Sequence, residues 1–353
     1  MATDFGNMFE MLQEAETVAV TMHIRPDGDS IGTALALKEA LKAMGKRVWV
    51  FSEDIDIAYQ NNFATISGFS KIAHSNSIEV VHTDDCEDTN CKGHIRFTHN
   101  TPFTEVTLPC IDLLVVVDAG EVHRLGENAR LIGYSKKVLI FDHHLNANME
   151  CDTLVQNIER ASCGEMMYEF FAEHNIEISK NMAEALYTAV SSDTGCFLFP
   201  NTTWYTHHVA SELMKLNIDV AGINYRNFRA YEPKSLEGFM RVLSEIKFLS
   251  GGRITLTYLS HSLIQKYQFD HEERHRFQKF ATDAKGVMVS IFVQEKEKGE
   301  FNISLRSVGD TNVAEIAQNF GGGGHKNAAG LQMKGRYKDI VKDLLEHVER
   351  AIS

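Results

Sequence analysis

Residues 17–30 read Thr-Val-Ala-Val-Thr-Met-His-Ile-Arg-Pro-Asp-Gly-Asp-Ser, and residues 31–44 continue Ile-Gly-Thr-Ala-Leu-Ala-Leu-Lys-Glu-Ala-Leu-Lys-Ala-Met. Residues 17–23 are short, β-branched and mostly apolar, as a buried strand requires. Pro26 and Gly28 then make a sharp polar turn. From Ser30 the apolar residues Ile31, Leu35, Leu37 and Leu41 recur at helical spacing, with Asp29 or Ser30 able to cap the start and Gly45 to end it. Residues 47–52 (Arg-Val-Trp-Val-Phe-Ser) read as a second strand. Strand, helix, strand is the opening of a parallel sheet.

The alternation continues. Residues 111–117 are a continuous apolar strand ending at Asp118, and residues 137–141 are another ending at Asp142. Residues 163–174 and 180–190 are predicted helices, the second with Met182, Leu186, Ala189 and Val190 as its apolar face. This predicts an α/β domain with a mostly parallel sheet over residues 1–222. Residues 223–247 are polar and then helical, as a connector would be. After Gly251-Gly252 the pattern changes: residues 253–260 alternate, residues 287–295 run into a charged hairpin, and residues 301–307 return beside them. A helix over 312–320 leads into Gly321-Gly-Gly-Gly-His-Lys-Asn-Ala-Ala-Gly330. Residues 248–353 are therefore expected to form a smaller α+β domain. There is no internal repeat.

A chain of 353 residues is long enough for two domains at roughly 100–200 residues each. Its apolar and charged fractions are those of an ordinary globular protein. Its formal charge is −13, which offers no basic face for long nucleic acid. An anionic substrate must then be held locally, by metal ions and a few cationic side chains. That favours free nucleotides and short oligonucleotides over duplex DNA. Residues 1–16 carry acids and no basic stretch ahead of an apolar core, so no secretory leader is expected there. The longest apolar run, near residues 113–117, falls far short of the ~20 residues that span a bilayer. The six cysteines show no small-scaffold disulfide pattern. A cytoplasmic protein with reduced thiols and no membrane partner is expected.

Four acid or histidine clusters punctuate the first domain, three at carboxyl ends of apolar strands, where open α/β sheets bind ligands. His23, Asp27 and Asp29 lie in the first turn. Taken alone they could simply make a polar strand-to-helix connection. Asp118 follows the strand at 111–117. Asp142-His143-His144 follow the next one. Consecutive side chains of extended backbone point opposite ways, so one histidine is expected on a metal and the other towards substrate, with Asp142 orienting an imidazole from behind. Asp193 closes a helical pattern. Together His23, Asp27, Asp29, Asp118, His143 and Asp193 suffice for two ions sharing one carboxylate. Carboxylate and imidazole donors without thiolate suit Mn²⁺, and less strongly Mg²⁺, Fe²⁺ or Co²⁺. Two such ions can hold a hydroxide and clamp an in-line displacement at phosphorus. A fifth feature lies in the second domain. The glycines Gly322, Gly323 and Gly324 let backbone N–H groups approach an anion, and His325 and Arg306 can grip a phosphate.

These motifs resemble those of the DHH phosphoesterases: residues 23–30 (HIRPDGDS), 115–120 (VVVDAG), 141–144 (FDHH) and 191–195 (SSDTG), with residues 304–307 (SLRS) and 321–330 resembling the substrate-binding DHHA1 domain. Order and spacing match across nearly the whole chain. The short layout is similar to oligoribonuclease/pAp-phosphatase (nanoRNase) and cyclic-dinucleotide phosphodiesterase members. The resemblance implies an active site in a cleft between the domains. His23 and Asp27 would hold one Mn²⁺, Asp29, His143 and Asp193 the other, and Asp118 would bridge them. His144 would contact the scissile phosphate, and Arg306 and His325 would bind substrate phosphate. The implied products are nucleoside 5′-monophosphates, and a homodimer is compatible, since many members are dimers.

Other readings fit less well. Type II pyrophosphatases share the first constellation but use a Lys- and Arg-based phosphate site in place of the Gly-rich loop. RecJ-like exonucleases carry further domains for which this chain has no room. A catalytically silent nucleotide sensor would have lost ligands, and all six are present. The departure from the family is residues 70–110, which look long and lack a clear period. They hold His74, His82, Cys86, Cys91, His94, His99 and Cys110. Cys86, Cys91 and His94 could suggest zinc, but structural zinc pairs are more tightly spaced. A solvated lid or insertion is the expectation.

Overall fold

A computed structural model of the chain describes residues 5–53, 63–74, 78–81, 94–100, 103–108, 111–269, 277 and 280–352. The chain divides into two compact units, Met1–Ala230 and Tyr231–Ser353.

In the first unit the elements run α1 (Gly6–Glu14), β1 (Thr17–Met22), α2 (Gly28–Ala43), β2 (Arg47–Ser52), β3 (Ile72–His74), β4 (Glu79–Val81), β5 (His94–Asn100), β6 (Phe103–Leu108) and β7 (Ile111–Val117). A kinked 3₁₀ segment (Val122–Tyr134), β8 (Ser135–Asp142), β9 (Thr153–Gln156), α3 (Cys163–Glu173), α4 (Lys180–Asp193), α5 (Trp204–Met214) and α6 (Val220–Phe228) follow. Six of the described strands form one sheet in the order β3-β2-β1-β7-β8-β9, parallel throughout. The apolar strands are continuous because the sheet is covered on both faces. Val18, Val20 and Met22, with Leu113, Val115, Val117, Leu139 and Phe141, pack into one core with α1–α6. The alternate residues Ala19, Leu114, Val116, Val138 and Ile140 pack into a second core with Leu125 and Leu131 of the 3₁₀ segment.

Residues 70–110 are more regular than their sequence suggests. β3 joins the edge of the parallel sheet, and β4, β5 and β6 form a separate antiparallel sheet inserted before β7. His74 ends β3, and His94 and His99 lie on β5. His82, Cys86, Cys91 and Cys110 lie outside the described residues.

Helices α2 and α4 cross at unusually short range. A Cβ built at Gly32 would lie 2.2 Å from the Ala185 carbonyl oxygen and 3.1 Å from the Ala189 Cβ. The missing side chain is what lets the two backbones touch, and it sets the spacing between Asp29 near the start of α2 and Asp193 at the end of α4. Gly32→Val is expected to lower stability by about 1–3 kcal/mol through overpacking, with a thermal midpoint several degrees down in calorimetry. An unchanged midpoint would mean that the crossing relaxes freely.

In the second unit, α7 (Pro233–Leu243) precedes β10 (Lys247–Leu249), β11 (Ile254–Leu259), α8 (His261–Tyr267), β12 (Val289–Glu297), β13 (Glu300–Ser307), α9 (Val313–Gln318), β14 (Gly323–His325), β15 (Ala328–Lys334) and α10 (Tyr337–Ala351). The unit boundary thus falls inside the stretch 223–247 read as a connector, with α6 before it and α7 after it. The described strands form a mixed sheet, β10-β11-β12-β13-β15-β14, in which only β11 and β12 pair in parallel. Ile303, Leu305 and Leu331 face a core shared with Leu344 and Val348 of α10.

Candidate metal centre

The register of three adjacent strands builds the site. Met22 of β1 is the partner of Val117 of β7, and Val117 is the partner of Phe141 of β8. The next residues, His23, Asp118 and Asp142, therefore emerge side by side at the carboxyl ends. This is also where the chain order changes direction: β1 leads to β2 on one side, while β7 lies on the other. Such a switch point is a crevice in any open parallel sheet.

Asp118 is at the centre and almost fully buried. Its backbone is left-handed (φ 59°), a conformation that Asp tolerates better than most residues and that recurs at functional sites. One carboxylate oxygen, Oδ2, lies 3.2 Å from His23 Nε2. The other, Oδ1, lies 3.6 Å from His143 Nε2 and 3.3 Å from His144 Nδ1. His23 Nε2 is also 3.8 Å from Asp27. His143 Nε2 is 3.1 Å from Asp193 and 3.8 Å from Asp29. The structure thus brings together His23, Asp27, Asp29, Asp118, Asp142, His143, His144 and Asp193.

Each carboxylate is positioned by a distinct local device. Asp27, not Asp29 or Ser30, caps α2: its Oδ1 accepts from the Asp29 and Ser30 amides at 3.0 and 3.1 Å, and Ser30 Oγ accepts from the Asp27 amide. Asp29 is left inside the first turn, fully buried. It accepts from the amides of Cys163 and Gly164 at 2.7 and 2.8 Å. These are free donors at the N-terminus of α3, where a carboxylate is favoured. Asp142 accepts from the His144 backbone amide at 3.1 Å and lies 2.8 Å from His144 Nδ1. That bond leaves Nε2 as the nitrogen open to a substrate.

Three buried atoms at the centre lack hydrogen-bond partners: Asp118 Oδ1, Asp142 Oδ2 and His143 Nε2. Orphaned buried polar atoms are costly, and an acceptor oxygen 3.6 Å from an imidazole nitrogen is an arrangement that a shared cation satisfies. Clusters of donors able to hold a cation occur at Asp29-Asp118-His143-Cys163, at His23-Asp27-Asp118 and at Asp118-Asp142-His144, and Asp118 belongs to all of them. The buried Asp/His donor set fits a metal site.

The electrostatics follow from crowding. Burial opposes charge on His23, yet its hydrogen bonds to the Asp118 and Asp27 carboxylates push its pKa up to about 11. Burial likewise opposes charge on His143, but Asp193 and Asp29 raise it to about 10. Asp118 and Asp142 raise His144 to about 9. Burial favours a neutral Asp118, but His144 and His23 hold it well below the usual carboxylate range. Asp29 is pushed up by burial and by Asp193 and Asp118, and burial raises Asp193 to about 6.

In the second unit, register places Arg306 of β13 opposite Ala328 of β15, which is in turn opposite His325 of β14. The glycine-rich stretch is thus an edge hairpin and not an open loop. Gly324 has φ 146°, and a Cβ there would meet the Ala328 carbonyl oxygen at 2.4 Å, so only glycine lets β14 close on β15. Asn327 fixes the turn through its side-chain amide to Ser307 Oγ and the Gly309 carbonyl, at 3.0 and 2.9 Å. Arg306 is half-buried and His325 exposed.

Residues 17–190 match the DHH family, N-terminal domain, and residues 275–353 match the DHHA1 domain. The chain belongs to the DHH/DHHA1 phosphoesterase family. It is 26% identical over 352 residues to the bifunctional oligoribonuclease and PAP phosphatase NrnA of Thermus thermophilus, covering 97% of this chain and 94% of that one. It is 24% identical over 325 residues to the enzyme of the same name from Bacillus subtilis, covering 90% of each. In fold it resembles the crystal structure of an exopolyphosphatase-related protein from Bacteroides fragilis, with a TM-score of 0.81 at 23% identity over 99% and 97% of the two chains. No helix among the described residues is long and apolar enough to cross a membrane.

Three contributors to the DHH site carry no sequence signal. The carbonyls of Ile24 and Arg160 lie 2.7 and 3.3 Å from Nδ1 of His23 and His143, orienting each ring as carbonyls behind metal-bound imidazoles do. Cys163 lines the centre from the first turn of α3. Burial and the surrounding acids push its thiol well up, and it donates to the Phe141 carbonyl at 3.6 Å.

Proposed function

We propose that this DHH phosphoesterase hydrolyses phosphate esters of small nucleotides: very short RNA, linear or cyclic dinucleotides, and pAp, with release of nucleoside 5′-monophosphates. The observation that carries this reading is Asp118. It is one buried carboxylate whose two oxygens face two different ligand groups, as a carboxylate shared by two cations must. His23 and Asp27 would complete one group, and Asp29, His143 and Asp193 the other. Mn²⁺, Mg²⁺, Co²⁺ or Fe²⁺, when bound there, would supply an activated water and neutralise charge at phosphorus.

The remaining work belongs to the chain. Asp142 and Asp118 hold His144 in place and, before any cation is bound, push its pKa up to about 9. It is 41% exposed at the side chain, so its free nitrogen can reach a phosphate oxygen or pass a proton to the leaving oxygen. Arg306 and His325 would capture a substrate phosphate on the DHHA1 unit. Similarity to relatives named oligoribonuclease and PAP phosphatase along nearly their full length supports this substrate class.

The test is incubation with Mn²⁺ and a panel of pAp, linear di- to pentanucleotides, c-di-AMP, c-di-GMP and pyrophosphate, with products separated by chromatography. Nucleoside 5′-monophosphate from one nucleotide class is the expected result. Phosphate from pyrophosphate alone, or bound metal without turnover of any nucleotide, would overturn the reading. For His325→Ala, kcat/KM is expected to fall by about 10–100-fold, carried mostly by KM, as for loss of a substrate-binding hydrogen-bond donor. An unchanged kcat/KM would remove His325 from the site.

A further inference from the structure

The DHHA1 sheet packs one face on α10; its other face is covered at β11 and β12 by an apolar core with α7 and α8 and turns polar along β13 and β15. Along β13 the side chains alternate: Phe301, Ile303 and Leu305 enter the core, while Asn302, Ser304 and Arg306 share the opposite face. Register extends that face sideways. Asn302 lies opposite Gln332, Ser304 opposite Gly330, and Arg306 opposite Ala328. Beside the Gly321-Gly322 turn this face forms an open depression of about 490 Å³ whose lining includes Asn302, Ser304, Gly330 and Gln332. No charged side chain is among its described lining residues.

The lining has the chemistry of a site for a neutral planar group. Asn302 Oδ1 is buried and has no hydrogen-bond partner, which is costly unless a ligand or water donates to it. Directly opposed residues on antiparallel strands have Cβ atoms ~5 Å apart, so the Asn302 and Gln332 carboxamides flank one small space. A carboxamide presents a donor and an acceptor in one plane. Adenine offers the complement, an amino donor beside a ring-nitrogen acceptor. Gly330 supplies the floor: a Cβ built there would have as its nearest atom only the Ile303 carbonyl oxygen, at 3.8 Å. The position is therefore open without needing glycine's backbone freedom. Arg306 is four residues along the same strand, ~13 Å away at ~3.4 Å per residue. Allowing for the reach of the side chains, that distance suits one nucleotide, with its phosphate at one end and its base at the other.

We propose that Asn302 and Gln332, over the floor left by Gly330, form a pocket that reads the adenine base of a nucleotide whose phosphate is held by Arg306 and His325. This rests on the nucleotide-hydrolase reading above and assigns the residues that would set its base preference. The pocket's contribution is read by titrating AMP, UMP and ribose 5-phosphate, which has no base, into the Mn²⁺-loaded protein by calorimetry. AMP is expected to bind about tenfold or more tighter than ribose 5-phosphate, with UMP between them. In Asn302→Ala and Gly330→Val the AMP advantage should shrink to within about twofold, with ribose 5-phosphate binding unchanged. Gly330→Ala, which intrudes less, should lose part of it, and near-wild-type thermal midpoints would show that all three variants fold. Equal binding of AMP and ribose 5-phosphate by the wild type, or an AMP advantage kept by Asn302→Ala and Gly330→Val, would overturn the pocket and leave phosphate capture standing. Binding of none of the three ligands would instead overturn the nucleotide reading itself.

Discussion

Asp118→Asn is expected to lower nucleotide hydrolysis by about a thousandfold or more and to reduce bound Mn²⁺ from two ions to one or none. Among the described residues the carboxylate is the only one common to every donor cluster, and each of its oxygens faces a different imidazole. An amide keeps the volume and one acceptor oxygen but loses the charge that two cations would share, and loss of one preorganised charge at a phosphoryl centre is worth at least two to three orders of magnitude. The fold should survive, because Asn accepts the left-handed backbone at this position as readily as Asp. Metal content by elemental analysis, circular dichroism and turnover separate the effects. His325→Ala, which leaves the metal centre untouched, should keep both ions. Near-wild-type turnover by Asp118→Asn would end the shared-carboxylate reading.

Metal affinity is expected to climb steeply with pH. Without a cation, His23 and His143 are held protonated through neutral pH, with pKa values near 11 and 10. A metal binds only the neutral imidazole, so it must displace both protons. Below those pKa values each ion displaces one proton, so its affinity rises about tenfold per pH unit, and the overall binding constant for the pair rises about a hundredfold per unit across pH 6 to 9. Below about pH 6 the Asp193 carboxyl also protonates, which steepens the loss on the acid side. Calorimetry in buffers of differing protonation enthalpy should count close to two protons released per pair of ions. An affinity that stays flat over this range would mean that these imidazoles are neutral before the metal arrives.

The parts of the fold legible in the sequence were those fixed by local pattern. β1, β2 and β7 are apolar runs, α3 and α4 carry apolar faces at helical spacing, and α2 is a helix buried nearly all round, so their bounds lie within a few residues of expectation. Seven of the eight acid and histidine residues of the metal centre were legible because strand ends announce themselves by an apolar run breaking at a charge, and Asp193 because it closes a helical pattern. What was hidden depends on tertiary contact. β3 and β14 are three-residue strands defined by their neighbours alone. The 3₁₀ segment at Val122–Tyr134 covers a sheet face but is broken by the non-helical backbone of Gly126. The antiparallel insert at β4–β6 has no long apolar run to mark it. At the site, the role of Asp27 as cap and the seat of Asp29 on the first turn of α3 needed the fold, since Asp29 and its partner Cys163 are 134 residues apart.

The in-register endings of β1, β7 and β8 carry a consequence for how such a chain can change. Adding or deleting one residue within any of these strands would shift its terminal ligand by a strand step and exchange its two buried faces together. A single frame-preserving indel there would damage the catalytic centre and both cores at once. Changes of length are therefore tolerable only away from those strand interiors. The β4–β6 insert occupies such a place, since it enters after β3 and is complete before β7 begins. The ends of these three strands form a part that can be decorated around but not re-spaced.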